Sequence, residues 1–377
     1  MNRRRFIQGA MAASGLSLLR VPRLRGAGPA PAPRTILVLG GTGFLGPAVV
    51  RAAVIAGHTV TLFNRGITNP ELFPYVEKLR GIRSSTASEE NWAAVAGRRW
   101  DAVIDVWPSD PSLAASAATR LRDQTAHYLY VSSIAAYDPR GFARPHLTED
   151  AALNPWDPAL RPYDRGKAES ERRLQALVGE RFTVVRPGPI KGDRDDTPDL
   201  LAWLRRCRHG GRHIGPGGGD DHVQMVDVKD VAEFLVLAIE RSVHGTFNLT
   251  GAPMTFRQFV EHCNQATRSS AEFVWIPRDF LHARGLDPAP FNNPKVPAYL
   301  GVFPFWHPEP ERIGFFQISS RKAFDAGWTQ RPFAETAADY LWSLDSQGPD
   351  FKWTDELAPD VEARVLEQWA SRGARAS

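Results

Sequence analysis

The chain has 377 residues, of which 43% are hydrophobic and 23% charged, and carries a formal net charge of +4. That length buries a full core and exceeds one typical domain of about 100–200 residues, and the composition is that of an ordinary soluble globular protein. The excess positive charge sits in the first 33 residues, which hold Arg3, Arg4, Arg5, Arg20, Arg23 and Arg25 and no acid. The remainder has 40 basic against 42 acidic residues, a balance that argues against electrostatic nucleic-acid binding.

The leader reads as a targeting sequence. Asn2-Arg3-Arg4-Arg5-Phe6-Ile7-Gln8 resembles the twin-arginine export motif, followed by the apolar run Gly9–Leu19 and the linker Gly28-Pro29-Ala30-Pro31-Ala32-Pro33. Eleven weakly apolar residues fall short of the about 20 that a membrane-spanning helix needs. The resemblance implies export by the twin-arginine machinery to the periplasm or beyond. The alternative is a basic tail on a cytoplasmic protein. No later stretch is long and apolar enough to span a membrane.

Ile36-Leu37-Val38-Leu39 is a short continuous apolar run, as expected for a parallel strand covered on both faces. Gly40-Gly41-Thr42-Gly43-Phe44-Leu45-Gly46 follows, then a helix to about Ala56 that ends at Gly57, then a second strand, Thr59–Phe63. Glycines between strand and helix let backbone amides and the helix N-terminus hold a pyrophosphate. The spacing of Gly40, Gly43 and Gly46 resembles that of the extended short-chain dehydrogenase/reductase family (the NAD-dependent epimerase/dehydratase family). The resemblance implies a nicotinamide cofactor bound by Gly40, Thr42, Gly43, Phe44, Leu45 and Gly46. After the second strand, a carboxylate would select NAD and an arginine would accommodate the 2′-phosphate of NADP. Asn64-Arg65-Gly66 offers no acid, which tilts the expectation from NAD towards NADP, although Arg65 also reads as a solvated surface charge. The family's usual Asp after the third strand is replaced around Gly81-Ile82-Arg83.

Asp101–Val106 reads as the fourth strand, Pro111–Arg122 as a helix, and His127–Val131 as the fifth strand, which leads into Ser132-Ser133. Tyr163-Asp164-Arg165-Gly166-Lys167 opens a helix running to about Leu177. Strands alternating with helices predict an α/β fold with a doubly wound parallel (Rossmann) sheet, whose ligands bind at the carboxyl ends of the strands. Tyr-x-x-x-Lys places two side chains on one helix face. A nearby ammonium favours the phenolate of a group that ordinarily titrates near 10, so Tyr163 can exchange a proton with an alcohol or carbonyl oxygen. The resemblance adds Ser133 as the hydrogen-bond partner of that oxygen and gives Lys167 a second role on the nicotinamide ribose.

Phe182–Gly188 looks like the family's sixth strand with its Arg-Pro exit, Gln224–Val231 like its return segment, and Gly245–Gly251 like its last core strand. The expected organisation is a leader over 1–33, a cofactor domain over 34–187 completed by 224–251, and a smaller substrate lobe from 188–223 and 252–377. Departures from the family narrow the substrate. Ile134-Ala135 stand where dehydratases carry an acidic pair, and Pro187-Gly188-Pro189-Ile190 lacks the Asn common in nucleotide-sugar enzymes.

No metal site is expected: His209, His213, Asp220, Asp221 and His222 fall in a Gly-rich loop without helical register. Cys207 and Cys263, the only cysteines, read as two buried thiols, with a single disulfide as the alternative. Phe303-Pro304-Phe305-Trp306-His307-Pro308 reads as lobe packing or as a pocket wall. The expectation is an NAD(P)-dependent oxidoreductase or epimerase acting on a hydroxyl or carbonyl carbon of a sugar-like or other small molecule. A net NADPH-dependent carbonyl reductase and a non-catalytic cofactor-binding module of the same fold are the alternatives, and a homodimer is compatible with either.

Overall fold

The computed structural model describes residues 32–83, 92–106, 109–287, 302–346 and 357–373; the twin-arginine-like segment lies outside them. Seven strands form one sheet, all pairs parallel: β1 Thr35–Leu39, β2 Thr59–Asn64, β3 Glu77–Arg80, β4 Trp100–Asp105, β5 Thr125–Val131, β6 Phe182–Pro187 and, later in the chain, β8 Gly245–Leu249. Their order is β8-β6-β5-β4-β1-β2-β3. The order reverses between β1 and β4, which opens the crevice where a doubly wound sheet takes its ligand.

Alternate residues of β1, β2, β4, β5 and β6 feed two separate cores, as expected of parallel strands covered on both faces. Ile36, Val38, Leu62, Ile104, Leu129 and Phe247 pack on one face with helices α1 (Leu45–Ile55) and α5 (Val228–Arg241). Leu37, Leu39, Phe63, Val103, Tyr128 and Val184 pack on the other with α2 (Pro111–Leu121) and α3 (Pro162–Val178). Helix α3 starts with Pro162 at its first position, where no N–H is needed, and ends at Gly179 with φ of 69°.

A third core gathers α4 (Asp199–His209), β7 (Arg212–Pro216), α6 (Phe256–Thr267), β9 (Glu272–Ile276), α7 (Phe333–Ser346) and α8 (Pro359–Gly373) around Trp203, Phe256, Phe259, Phe303 and Trp306. Strands β7 and β9 pair in parallel outside the main sheet. Cys207 and Cys263 are both buried free thiols here. Burial raises the Cys263 thiol well above its ordinary pKa, and Cys207 beside it adds to the rise.

Candidate active site

The glycine loop leaves β1 with Gly40 and Gly41 at φ of 115° and 96°, backbone that side chains rarely adopt. Gly46, in the first turn of α1, packs on the loop itself: a Cβ there would lie 2.5 Å from Gly41 Cα. Gly43 is exposed, with nothing within 4 Å of where its Cβ would be. Phe44 caps α1 without a side-chain hydrogen bond, and the first turn holds no acid. Amides at that turn receive no side-chain cap, and the open space at Gly43 admits close approach, so the loop fits a pyrophosphate. Thr42 and Leu45 are buried, and the Thr42 carbonyl accepts from Asn69 Nδ2 at 2.7 Å.

Asn64 ends β2, and its amide is already committed. Its Nδ2 donates to the Gly40 carbonyl at 2.9 Å, while Oδ1 accepts from Gly66 N at 2.9 Å and from Arg80 Nη1 at 3.1 Å. Asn64 therefore joins the glycine loop to the turn after β2. Arg65 is exposed beside it. Arg83 does not reach this corner: it forms a bidentate pair with Asp105 at 2.8 and 2.6 Å, and Tyr128 donates to the same carboxylate at 3.1 Å.

Across the crevice, β5 ends at Val131, and Ser133 is half-buried two residues on, its Oγ accepting from Ala135 N at 3.1 Å. Lys167 on α3 is buried; its Nζ donates to the Val131 carbonyl at 2.7 Å and stands 5.7 Å from the centroid of the Tyr163 ring. Burial pushes the Lys167 ammonium down to about 8, against the attraction of Asp105 and Glu171. Surrounding protein raises the Tyr163 phenol, with the Ser133 hydroxyl near enough to oppose the rise. Solvent reaches 41% of the Tyr163 surface and moderates that effect. The fold thus brings Ser133, Tyr163 and Lys167 to the carboxyl end of β5, two strands from the glycine loop after β1.

A buried polar layer supports them. Arg186 at the end of β6 grips Glu171 through Nε at 3.1 and 3.2 Å and Nη2 at 2.6 Å, and Ser132 donates to Glu171. The Arg186 guanidinium stacks 4.6 Å from the Tyr137 ring centroid, and Tyr137 donates to Asn248 at 2.7 Å. Sequence reasoning passed over Glu171 and Arg80. Glu171 is four residues after Lys167, on the same helix face, which is the signal that points to it. Arg80 sits on a short polar strand, Glu-Lys-Leu-Arg, with no apolar period to mark it.

In the third core, a cavity of about 470 Å³ is lined by Asp221, Arg257, Trp275, Arg278, Trp306 and Trp369, among others. Of the aromatic run at 303–308, Trp306 lines it, its indole donating to Asp221 at 2.8 Å, while Phe303 and Phe305 pack in the core. His213 pairs instead with Glu362 at 3.1 Å. Among the described residues, no cluster of three or more His, Cys, Asp or Glu could hold a metal ion.

The model of the NAD dependent epimerase/dehydratase family matches residues 36–250, from β1 through the end of β8. The chain belongs to that family. Within the range of this epimerase/dehydratase chain's relatives, the chloroplast stem-loop binding protein of 41 kDa b of Arabidopsis thaliana is 29% identical over 248 residues, 62% of this chain. The chain covers 63% of that relative's length. The 2'-dehydrokanamycin reductase of Streptomyces kanamyceticus is 28% identical over 269 residues, 68% of this chain and 73% of its own. Among solved structures, the UDP-N-acetylglucosamine 4-epimerase of Bacillus cereus superposes with a TM-score of 0.58 at 18% identity, over 84% of this chain and 100% of that one. At that identity the likeness concerns the fold.

Proposed function

We propose that this chain is an NAD(P)-dependent oxidoreductase or epimerase acting on a hydroxyl or carbonyl carbon, with Tyr163 as its acid/base. The observation that carries the reading is the Lys167 ammonium held 5.7 Å from the Tyr163 ring, at the strand end across from a glycine loop without a side-chain cap. When bound, the nicotinamide group supplies the hydride acceptor or donor. Gly40, Thr42, Gly43, Phe44, Leu45 and Gly46 would hold its pyrophosphate, and Asn64 and Arg65 stand at its adenosine end.

The protein's own part is proton handling and positioning. Ser133 hydrogen-bonds the substrate oxygen and fixes it against the Tyr163 hydroxyl. Tyr163 takes the alcohol proton as the carbon is oxidised, or returns it as a carbonyl is reduced. Lys167, positively charged below its pKa of about 8, stabilises the phenolate that forms. The half-open face of Tyr163 is the side from which substrate can approach.

A non-nucleotide substrate fits best, because the turn after β6 lacks the Asn of nucleotide-sugar enzymes, and one relative is by its name a reductase of 2'-dehydrokanamycin. Stem-loop binding, which the name of the chloroplast relative describes, finds no support in a body with 40 basic and 42 acidic residues. Replacing Tyr163 by Phe removes the proton-transfer group and keeps the ring. Turnover with an accepted alcohol or carbonyl substrate should fall by at least about 10²-fold, while cofactor affinity, measured by calorimetry, stays within about twofold. Near-normal turnover in that variant rules out Tyr163 as the acid/base.

A further inference from the structure

In dinucleotide-binding doubly wound folds the adenosine ribose lies near the carboxyl end of the second strand, and an acid at that position selects a free 2′-hydroxyl. Here the position is Asn64, whose register partner on β3 is Arg80. The Asn64 carboxamide oxygen accepts from both Gly66 N and Arg80 Nη1, so one side chain fixes the turn and the guanidinium together. Gly66 has φ of 73°, and a Cβ there would lie 1.6 Å from Arg80 Nη1. The guanidinium therefore lies across a bare glycine, and no other residue type leaves it that path.

The charge balance at this corner is one-sided. The acids on the neighbouring strands are already engaged elsewhere, Glu77 by Arg98 at 2.7 Å and Asp105 by Arg83 at 2.6 Å. Neither Arg65 nor Arg80 enters a salt bridge among the described residues. Two exposed guanidiniums flanking Gly66, with a neutral amide where an acid would repel a phosphate, make a site for a dianion.

We propose that Arg80 reads the 2′-phosphate of NADP, that Asn64 holds it in place, and that Arg65 adds a second, weaker contact. The inference rests on the NAD(P) reading of the glycine loop and names the residue that sets which dinucleotide is taken. Sequence reasoning had put that role on Arg65 alone.

The test uses the full chain stripped of cofactor and two probes that differ only by the phosphate, 2′,5′-ADP and 5′-AMP, titrated by calorimetry. The unaltered protein should bind 2′,5′-ADP at least about 10-fold more tightly, the scale of a charge-assisted hydrogen bond. Arg80→Ala should abolish most of that preference and leave 5′-AMP within about twofold. Arg80→Gln keeps a donor for Asn64 without the charge and should lose the preference to the same degree. Arg65→Ala should lose less. A preference that survives in both Arg80 variants, or a wild-type preference for 5′-AMP, overturns the assignment while leaving a dinucleotide enzyme in place. Binding of neither probe overturns the cofactor reading with it.

Discussion

Lys167 answers two opposed demands. In the proposed role its ammonium stands near the Tyr163 ring to favour the phenolate, and that place is buried, which pushes its pKa from 10.5 down to about 8. The unfolded chain holds that proton up to 10.5, so between about 8 and 10.5 it binds more protons than the folded one. Stability from this group therefore rises with pH across that window and is lost as pH falls to about 8, by roughly 3 kcal/mol in all. Lys167→Met lacks the titration. The difference in unfolding free energy between cofactor-free wild type and Lys167→Met should tilt towards the wild type by roughly that amount from pH 8 to 10.5, and stay level below about 7. A level difference across the whole range means that Lys167 is not held as a buried cation. At this scale the Tyr–Lys spacing was legible because four residues return to one helix face. Arg80 was not, because its proposed role depends on a register between two strands and on a missing Cβ fourteen residues away.

The helix that carries Tyr163 and Lys167 is tied to the sheet by a salt bridge buried at both ends, Glu171–Arg186, with side chains 4% and 5% exposed. The pair spans α3 and β6, so its loss would loosen the whole of α3 rather than one contact. Arg186→Leu removes the ion-pair partner of Glu171 in the interior and should cost about 3–5 kcal/mol of global stability in urea unfolding. A cost under about 1 kcal/mol means the pair orients α3 without stabilising the fold. Helices α4 and α6 bring Cys207 and Cys263 together in the third core. A thiol reagent should find no reactive group in the native protein and two in denaturant; none in either state identifies a disulfide. Strands with both faces covered were placed within a residue or two of their ends, β1, β2, β4 and β5 from the residues and β6 by its resemblance to the family's sixth strand. Strand β3 was placed only by resemblance, just before Gly81, because an edge strand, Glu77–Arg80, needs no apolar face to mark it. Past residue 252 the sequence offered little, since that core is assembled from aromatic residues scattered over many short segments.

At the scale of the whole molecule, the family fold and the twin-arginine-like motif make a joint prediction. Twin-arginine export carries proteins already folded, which suits a chain that must acquire its dinucleotide in the cytoplasm. If the motif at Asn2–Gln8 is used, the enzyme works where free NAD(P) is scarce and nucleotide sugars are absent. An exported enzyme that released its cofactor at each turnover would soon stop. Continued activity then needs a retained dinucleotide and a redox-neutral cycle, in which a hydroxyl is oxidised and the same or a second carbonyl is reduced. Epimerisation of a non-nucleotide sugar or similar polyol meets that condition, whereas reduction with diffusing NADPH does not. We therefore expect protein from the exported fraction to keep nearly one nicotinamide per chain through extensive dialysis, read by absorbance after denaturation. It should also interconvert substrate epimers without added cofactor. Protein that arrives empty and binds NAD(P) weakly and reversibly contradicts the retained-cofactor cycle, and a cytoplasmic or membrane-tethered reductase is then the better account of the same site.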